Sequence, residues 1–115
     1  MSARNVVIDR SEPGVAIVGL SGEHETYTAE KLRRVLHGLL DDDRGIVVDL
    51  TEATFLDSAV VGVILEARTQ AAERGLKFAL VMDDNTGPAV HRLFDLTGLN
   101  SVLPIAASRD AALAG

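Results

Sequence analysis

Asp57 and Ser58 are the residues of this chain whose types and placement best suit chemistry. They follow the apolar run Ile46 to Leu50 and a short polar stretch that begins at Thr51. Directly after them comes the apolar segment A-V-V-G-V-I-L. That pattern reads as a buried strand, a polar crossing and the mouth of a long helix. The first turn of a helix leaves backbone N–H groups without intrahelical partners. An oxygen of Asp57 or Ser58 can therefore cap the helix. A serine hydroxyl in this position can also accept a phosphoryl group. The resulting dianion would meet free N–H donors and the positive end of the helix dipole. Asp57 beside it would add like charge, so modification would alter the local potential strongly. The two roles are compatible, because a capping residue can also be the modified one.

Other chemistries have less support. Ser58 lacks the flanking glycines of a nucleophile elbow, and His24, His37 and His91 have no evident orienting acid nearby in the chain, which argues against a serine hydrolase. The same histidines are too scattered to form a metal site. Asp41-Asp42-Asp43 reads as a charged loop, and Asp83-Asp84-Asn85 as a turn leading into a helix cap. There is no glycine-rich phosphate loop, so tight nucleotide binding is not expected. Asp49, at the end of a central strand, invites comparison with the phosphoacceptor of a receiver domain. That chemistry also needs an acidic pair after the first strand and a lysine after the last, and neither is found here.

Composition narrows the partners. A net charge of -6 disfavours binding to nucleic acid or to an anionic membrane surface. With three Phe, one Tyr and no Trp, platforms for stacking bases are also missing. The absence of cysteine excludes disulfides, thiolate metal sites and cysteine nucleophiles. No apolar run approaches membrane-spanning length, and the first ten residues lack the apolar core of a signal peptide. A soluble cytoplasmic protein with no cofactor is the expectation. At 115 residues and 47% apolar content, one domain spanning 1–115 with a single core is expected.

The elements that must position Asp57 and Ser58 follow from periodicity. β-Branched runs at Asn5 to Ile8 and Val15 to Leu20, separated by R-S-E-P-G, predict a hairpin. Ser21-Gly22-Glu23 then releases the chain into a helix from about Thr28 to Leu40, where Leu32, Val35, Leu36, Leu39 and Leu40 recur at helical spacing. Ile46 to Leu50 reads as a central strand buried on both faces. A second helix runs from about Ser58 to Arg74 and stops at Gly75. Val60, Val63, Ile64, Ala67 and Ala71 form its core stripe. Val61 and Leu65 lie off that stripe, with Gly62 between them; they form either part of a wide buried face or a modest apolar patch beside Ser58. A strand at Phe78 to Met82, a helix opened by Pro88 and closed by Gly98, a last strand at Val102 to Ile105 and a short helix from Arg109 complete the order β-β-α-β-α-β-α-β-α. This is an α/β fold, a mixed sheet of four to five strands with about four helices packed on one side or both.

Three segments, in this order, resemble the STAS-domain anti-sigma-factor antagonists of bacteria. They are Ser21-Gly22-Glu23; Ile46 to Leu50 followed by F-L-D-S at 55–58 and G-V-I-L at 62–65; and V-H-R-L-F-D-L-T-G-L at 90–99. The resemblance covers nearly the whole chain and implies a STAS fold and a binding protein, not an enzyme. It implies that the unphosphorylated chain binds an anti-sigma factor and so frees a sigma factor. It also implies that the anti-sigma factor is an ATP-dependent serine kinase, that its target is Ser58, and that a PP2C-type phosphatase reverses the modification. Partner contacts would then fall on Glu25, Asp57, Ala59, Val61, Gly62 and Leu65, in a monomer or weak dimer. A scaffold subunit of a larger signalling assembly and a ligand-sensing module are the alternative roles. The chain carries Ala59-Val60 where the family usually has Ser or Thr followed by Gly, and Glu25 where it has aspartate.

Overall fold

The computed structural model describes residues 5–114. Strand β1 (Asn5–Asp9) pairs antiparallel with β2 (Val15–His24). Helix α1 (Thr26–Asp41) leads to β3 (Gly45–Leu56), and α2 (Ser58–Glu73) leads to β4 (Phe78–Val81). Then come α3 (Pro88–Thr97), the single turn α4 (Leu99–Val102), β5 (Ile105–Ala106) and α5 (Arg109–Ala114). From β2 to β5 the strands are parallel neighbours in the order of the chain.

That order decides the layers. When successive parallel strands always step the same way across a sheet, right-handed crossovers place every crossover helix on the same face. Ala16, Val18, Leu20, Ile46, Val48 and Leu50 accordingly join Leu32, Leu36, Val60, Ile64, Val90 and Phe94 in one core. The alternate residues Ile17, Val47, Ala79 and Val81 face the other way and are covered by α5 through Ala112. Asp49 also lies on this second face, two residues beyond Val47.

Helix ends behave as their residues require. Pro88 is the first helical residue of α3, where a missing N–H costs nothing. Gly98 ends α3 in the left-handed conformation, with φ 74°. Between them Phe94, 1% exposed, is among the largest fully buried side chains, so the L-F-D-L-T-G-L segment is largely a device for seating α3.

Several boundaries differ from expectation. β3 does not stop at Leu50 but runs to Leu56, and β2 runs past Leu20 to His24. The two extensions pair with each other, Ser21 opposite Glu52 and His24 opposite Leu56. Ala53 and Leu56 are buried while Thr54 and Phe55 are exposed, so what reads as a polar crossing is strand leaving the cover of the helices. As a consequence α1 starts at Thr26 instead of Thr28. A further change is at the end of the chain. Leu99–Val102 is helical, and the final strand is only Ile105–Ala106, because Leu99 and Leu103 turn inward to the core and Pro104 follows in the extended link.

Candidate functional site

The site begins where β2 and β3 end side by side. The backbone N–H of Asp57 donates to the His24 carbonyl at 3.0 Å, which holds the two strand ends together. The chain then passes into α1 through Glu25–Thr26 and into α2 through Asp57–Ser58. Asp57 is extended (φ -87°, ψ 167°) and is the N-cap of α2. Its Oδ1 accepts from the Ala59 N–H at 2.7 Å. Its Oδ2 accepts from the Thr26 hydroxyl at 2.6 Å. Of the two residues that could cap this helix, Asp57 does so, and Ser58 is the first residue of the helix, exposed and not consumed by capping.

Electrostatics follow from this geometry. The hydrogen bond from the Thr26 hydroxyl is the largest influence and lowers the Asp57 pKa; burial opposes it, and the N–H groups of Ala59, Val60 and Thr26 add to the lowering. Asp57 is thus a firmly ionised cap at the positive end of α2. A carboxylate held this way is a poor base for the neighbouring Ser58 hydroxyl.

The other proposed contact residues fall around this point. Val60 is buried and points into the core, as its stripe requires, so its bulk is kept away from Ser58. Val61 and Leu65 are half-buried against the same core, which makes the apolar patch shallow. Gly62 is exposed, and a Cβ there would meet nothing within 4 Å. Glu25 is exposed and is the N-cap residue of α1, but only its carbonyl works as a cap partner, accepting from the Thr28 N–H at 3.0 Å. Reading by sequence missed Thr26, whose partner is 31 residues away. It also missed the exposed aromatics Tyr27 and Phe55, 63% and 41% exposed, which flank the two helix starts in the chain. A run of strand residues continued to Leu56 would have marked Phe55 as facing outward.

Residues weighed for other chemistry are placed elsewhere. His37 does have an acidic neighbour, which its sequence context hid: Glu66 on α2, with Nε2 to Oε1 at 3.1 Å. His24 is buried and bonds the Ser21 carbonyl at 2.9 Å, and His91 bonds the Asp83 carbonyl at 2.9 Å. Asp83 accepts from the Asn85 N–H at 2.8 Å, which makes Asp83-Asp84-Asn85 a turn; the cap of the following helix is Gly87, with no side-chain bond. Among the described residues, no group of three or more His, Asp or Glu side chains is arranged to hold a metal ion. No helix among them is long and apolar enough to cross a membrane.

Asp49 sits on the second face of the sheet, 5% exposed. Its Oδ1 accepts from the Thr51 N–H at 2.9 Å and its Oδ2 from Arg109 Nε at 2.6 Å. Burial alone would raise its pKa, but the Thr51 N–H and the Arg109 guanidinium outweigh that and leave it below the ordinary value. The neighbour is an arginine on α5, so Asp49 is a clasp for that helix.

Comparison with known proteins agrees with this architecture. The family model for the STAS domain matches residues 7–112. An anti-sigma F factor antagonist of Paenibacillus polymyxa is 37% identical over 94 residues, covering 80% of this chain and 78% of the relative. An anti-sigma-B factor antagonist of Bacillus subtilis is 27% identical over 106 residues, 92% of this chain and 94% of the relative. The crystal structure of an anti-sigma factor antagonist from Mycobacterium paratuberculosis superposes with a TM-score of 0.82 at 26% identity, over 97% of this chain and 92% of that one. The unphosphorylated form of SpoIIAA shares the fold, with a TM-score of 0.77 at 19% identity over 93% and 92% of the two chains. These relatives are named as regulators that antagonise another protein, not as enzymes. With the family model spanning nearly the whole chain and the relatives aligned over most of their own lengths, the chain belongs to the STAS-domain family of anti-sigma-factor antagonists.

Proposed function

We propose that this chain binds an anti-sigma factor through the surface around the start of α2 and is released from it when Ser58 is phosphorylated. The observation that carries the proposal is the division of labour at that helix. Asp57 supplies the cap, so Ser58 stands exposed on the first turn with its hydroxyl available. A phosphate there would add about two negative charges beside the ionised Asp57, in an interface built for the uncharged hydroxyl. Glu25, Asp57, Ala59, Val61, Gly62 and Leu65 form the contact surface. The partner is a cytoplasmic anti-sigma factor with serine-kinase activity; a PP2C-type phosphatase restores the binding state, and the free antagonist is a monomer or weak dimer.

Incubation with candidate anti-sigma factors and Mg-ATP, followed by mapping of the modified residue, tests this directly. Phosphate is expected on Ser58 alone. Ser58→Ala should bind with parental affinity and take up no phosphate, and Ser58→Asp should bind about a hundredfold more weakly. Phosphate on another residue, or parental affinity in Ser58→Asp, would reject the proposal.

Gly62 offers a separate test of the surface. A glycine inside a helix is less stable than alanine by about 0.5–1 kcal/mol. Because the space around Gly62 is open, Gly62→Ala should raise the melting temperature of the isolated chain. If a partner approaches the bare backbone there, the same methyl should weaken binding about tenfold. A stabilised variant that binds as well as the parent would remove Gly62 from the contact surface.

A further inference from the structure

We infer that Thr26 is a positioning residue that ties the start of α1 to the phosphoacceptor end of α2, so that a charge placed on Ser58 is felt at Glu25 and Tyr27. The inference rests on Ser58 being the residue that changes charge, and it extends that reading to a second segment of the chain.

Thr26 opens α1, yet its hydroxyl does not serve that helix. The α1 N-cap, Glu25, makes no side-chain cap bond, and the Thr28 hydroxyl is the one turned back onto the Glu25 carbonyl, at 2.8 Å. The Thr26 hydroxyl instead crosses to the start of the neighbouring helix and donates to Asp57 Oδ2 at 2.6 Å. Oδ1 of the same carboxylate is held by the Ala59 N–H at 2.7 Å. With one oxygen pinned to the first turn of each helix, the carboxylate cannot rotate without breaking one of these bonds. The backbone reinforces the pairing, because His24 opposite Leu56 and the Asp57 N–H to the His24 carbonyl set the two helix starts side by side.

Consider a negative group added at Ser58. It competes with Asp57 for the same first-turn N–H groups and repels a carboxylate that is already ionised. The carboxylate can yield by turning away from Ala59, and this changes the bond to Thr26. The strain is thus delivered to Thr26 and its neighbours Glu25 and Tyr27, both exposed. Without the hydroxyl, the largest of the influences on Asp57, only the Thr26 N–H still joins the carboxylate to α1, so Asp57 adjusts more freely and α1 responds less. A hydrogen bond to a charged group is strong enough to carry such coupling.

The test needs only the full chain, by NMR, in three backgrounds: parent, Thr26→Val and Thr26→Ser. Valine keeps the branched shape and similar helix propensity while removing the hydroxyl; serine keeps the hydroxyl. In the parent, adding Ser58→Asp should shift the amide signals of Glu25, Thr26 and Tyr27 as well as those of Ala59 to Val61. In the Thr26→Val background the α2 shifts should persist and the α1 shifts should fall at least twofold, since the Thr26 N–H still reaches Asp57; Thr26→Ser should restore them. The Asp57 carboxyl should titrate higher in Thr26→Val than in the parent, and back near the parent value in Thr26→Ser. A purely structural role for Thr26 would not give this selective loss. Equal α1 shifts in the valine and parent backgrounds, or no α1 shift in the parent, would overturn the inference. If the coupling is found but no kinase modifies Ser58, Thr26 keeps its role and the phosphorylation proposal fails on its own.

Discussion

Gly87→Ala is expected to destabilise the fold by about 3 kcal/mol, lowering the melting temperature by roughly 10 °C. The cause is space and not backbone freedom, since Gly87 has an ordinary φ of -57°. A Cβ at this position would lie 2.7 Å from Thr54 Cα and 3.0 Å from the Ala53 carbonyl oxygen. Both belong to the backbone of β3, which cannot swing aside as a flexible side chain could. The start of α3 would have to withdraw from the strand, and the 2.8 Å bond from the Gly87 N–H to the Ala53 carbonyl would go with it. Pro88 follows directly, so the approach to the helix has little freedom to reroute. Thr54 is only three residues before Asp57, so the damage reaches the candidate site, and partner binding should fall along with stability. Urea unfolding of the two proteins checks the energy. A variant within about 0.5 kcal/mol of the parent would mean that α3 does not press on β3 in this way. The contrast with Gly62, where the same methyl meets open space, makes the pair informative.

Arg109→Ala is expected to cost about 2 kcal/mol at neutral pH, with a pH dependence that identifies the cause. Removing Arg109 leaves the Asp49 carboxylate, whose side chain is 7% exposed, with only Thr51, through its N–H and its hydroxyl. Arg109 is itself 47% exposed, which keeps the loss below that of a fully buried pair. It also loosens α5, which otherwise relies on Ala112 packing and on Lys77 Nζ donating to the Ala112 carbonyl at 2.9 Å. In the parent, Asp49 has a folded pKa below its unfolded value. Its contribution is fully present above the unfolded pKa near 3.9 and is lost as the pH falls through the lower folded value. In Arg109→Ala the lowering by the guanidinium is lost while burial still raises the pKa, so the folded pKa rises and the charged Asp49 contributes less stability at neutral pH. Protonation in acid removes this difference. The gap between the two proteins should be widest above about pH 5 and should narrow toward pH 3. Denaturant midpoints across that range test this, and Asp49→Asn combined with Arg109→Ala should recover part of the loss at pH 7. A gap that is the same at every pH would assign the loss to packing of α5 alone.

Much of the fold was legible because its signals are short in range. The stripe Val60, Val63, Ile64, Ala67 and Ala71, the stop at Gly75, Pro88 at a helix start and Gly98 at its end depend on residues within a few positions of one another. Each stands in the structure as read. So does the hairpin, whose turn residues lie between two β-branched runs. The serine at a helix mouth was equally visible, since capping chemistry is local.

What the tertiary structure alone decided are contacts between distant segments. Strands β2 and β3 extend past their apolar runs because each supplies the other's backbone partners, and pairing of that kind leaves no local pattern. The last strand shrinks to two residues because Leu99 and Leu103 find places in the core. Asp49 gains its meaning from Arg109, 60 residues away. At Asp57-Ser58 the sequence by itself determined that a helix opens there and that an oxygen would cap it. Only the folded chain decided which one, because the Thr26 hydroxyl, 31 residues upstream, fixes the Asp57 carboxylate on the helix end and leaves Ser58 exposed.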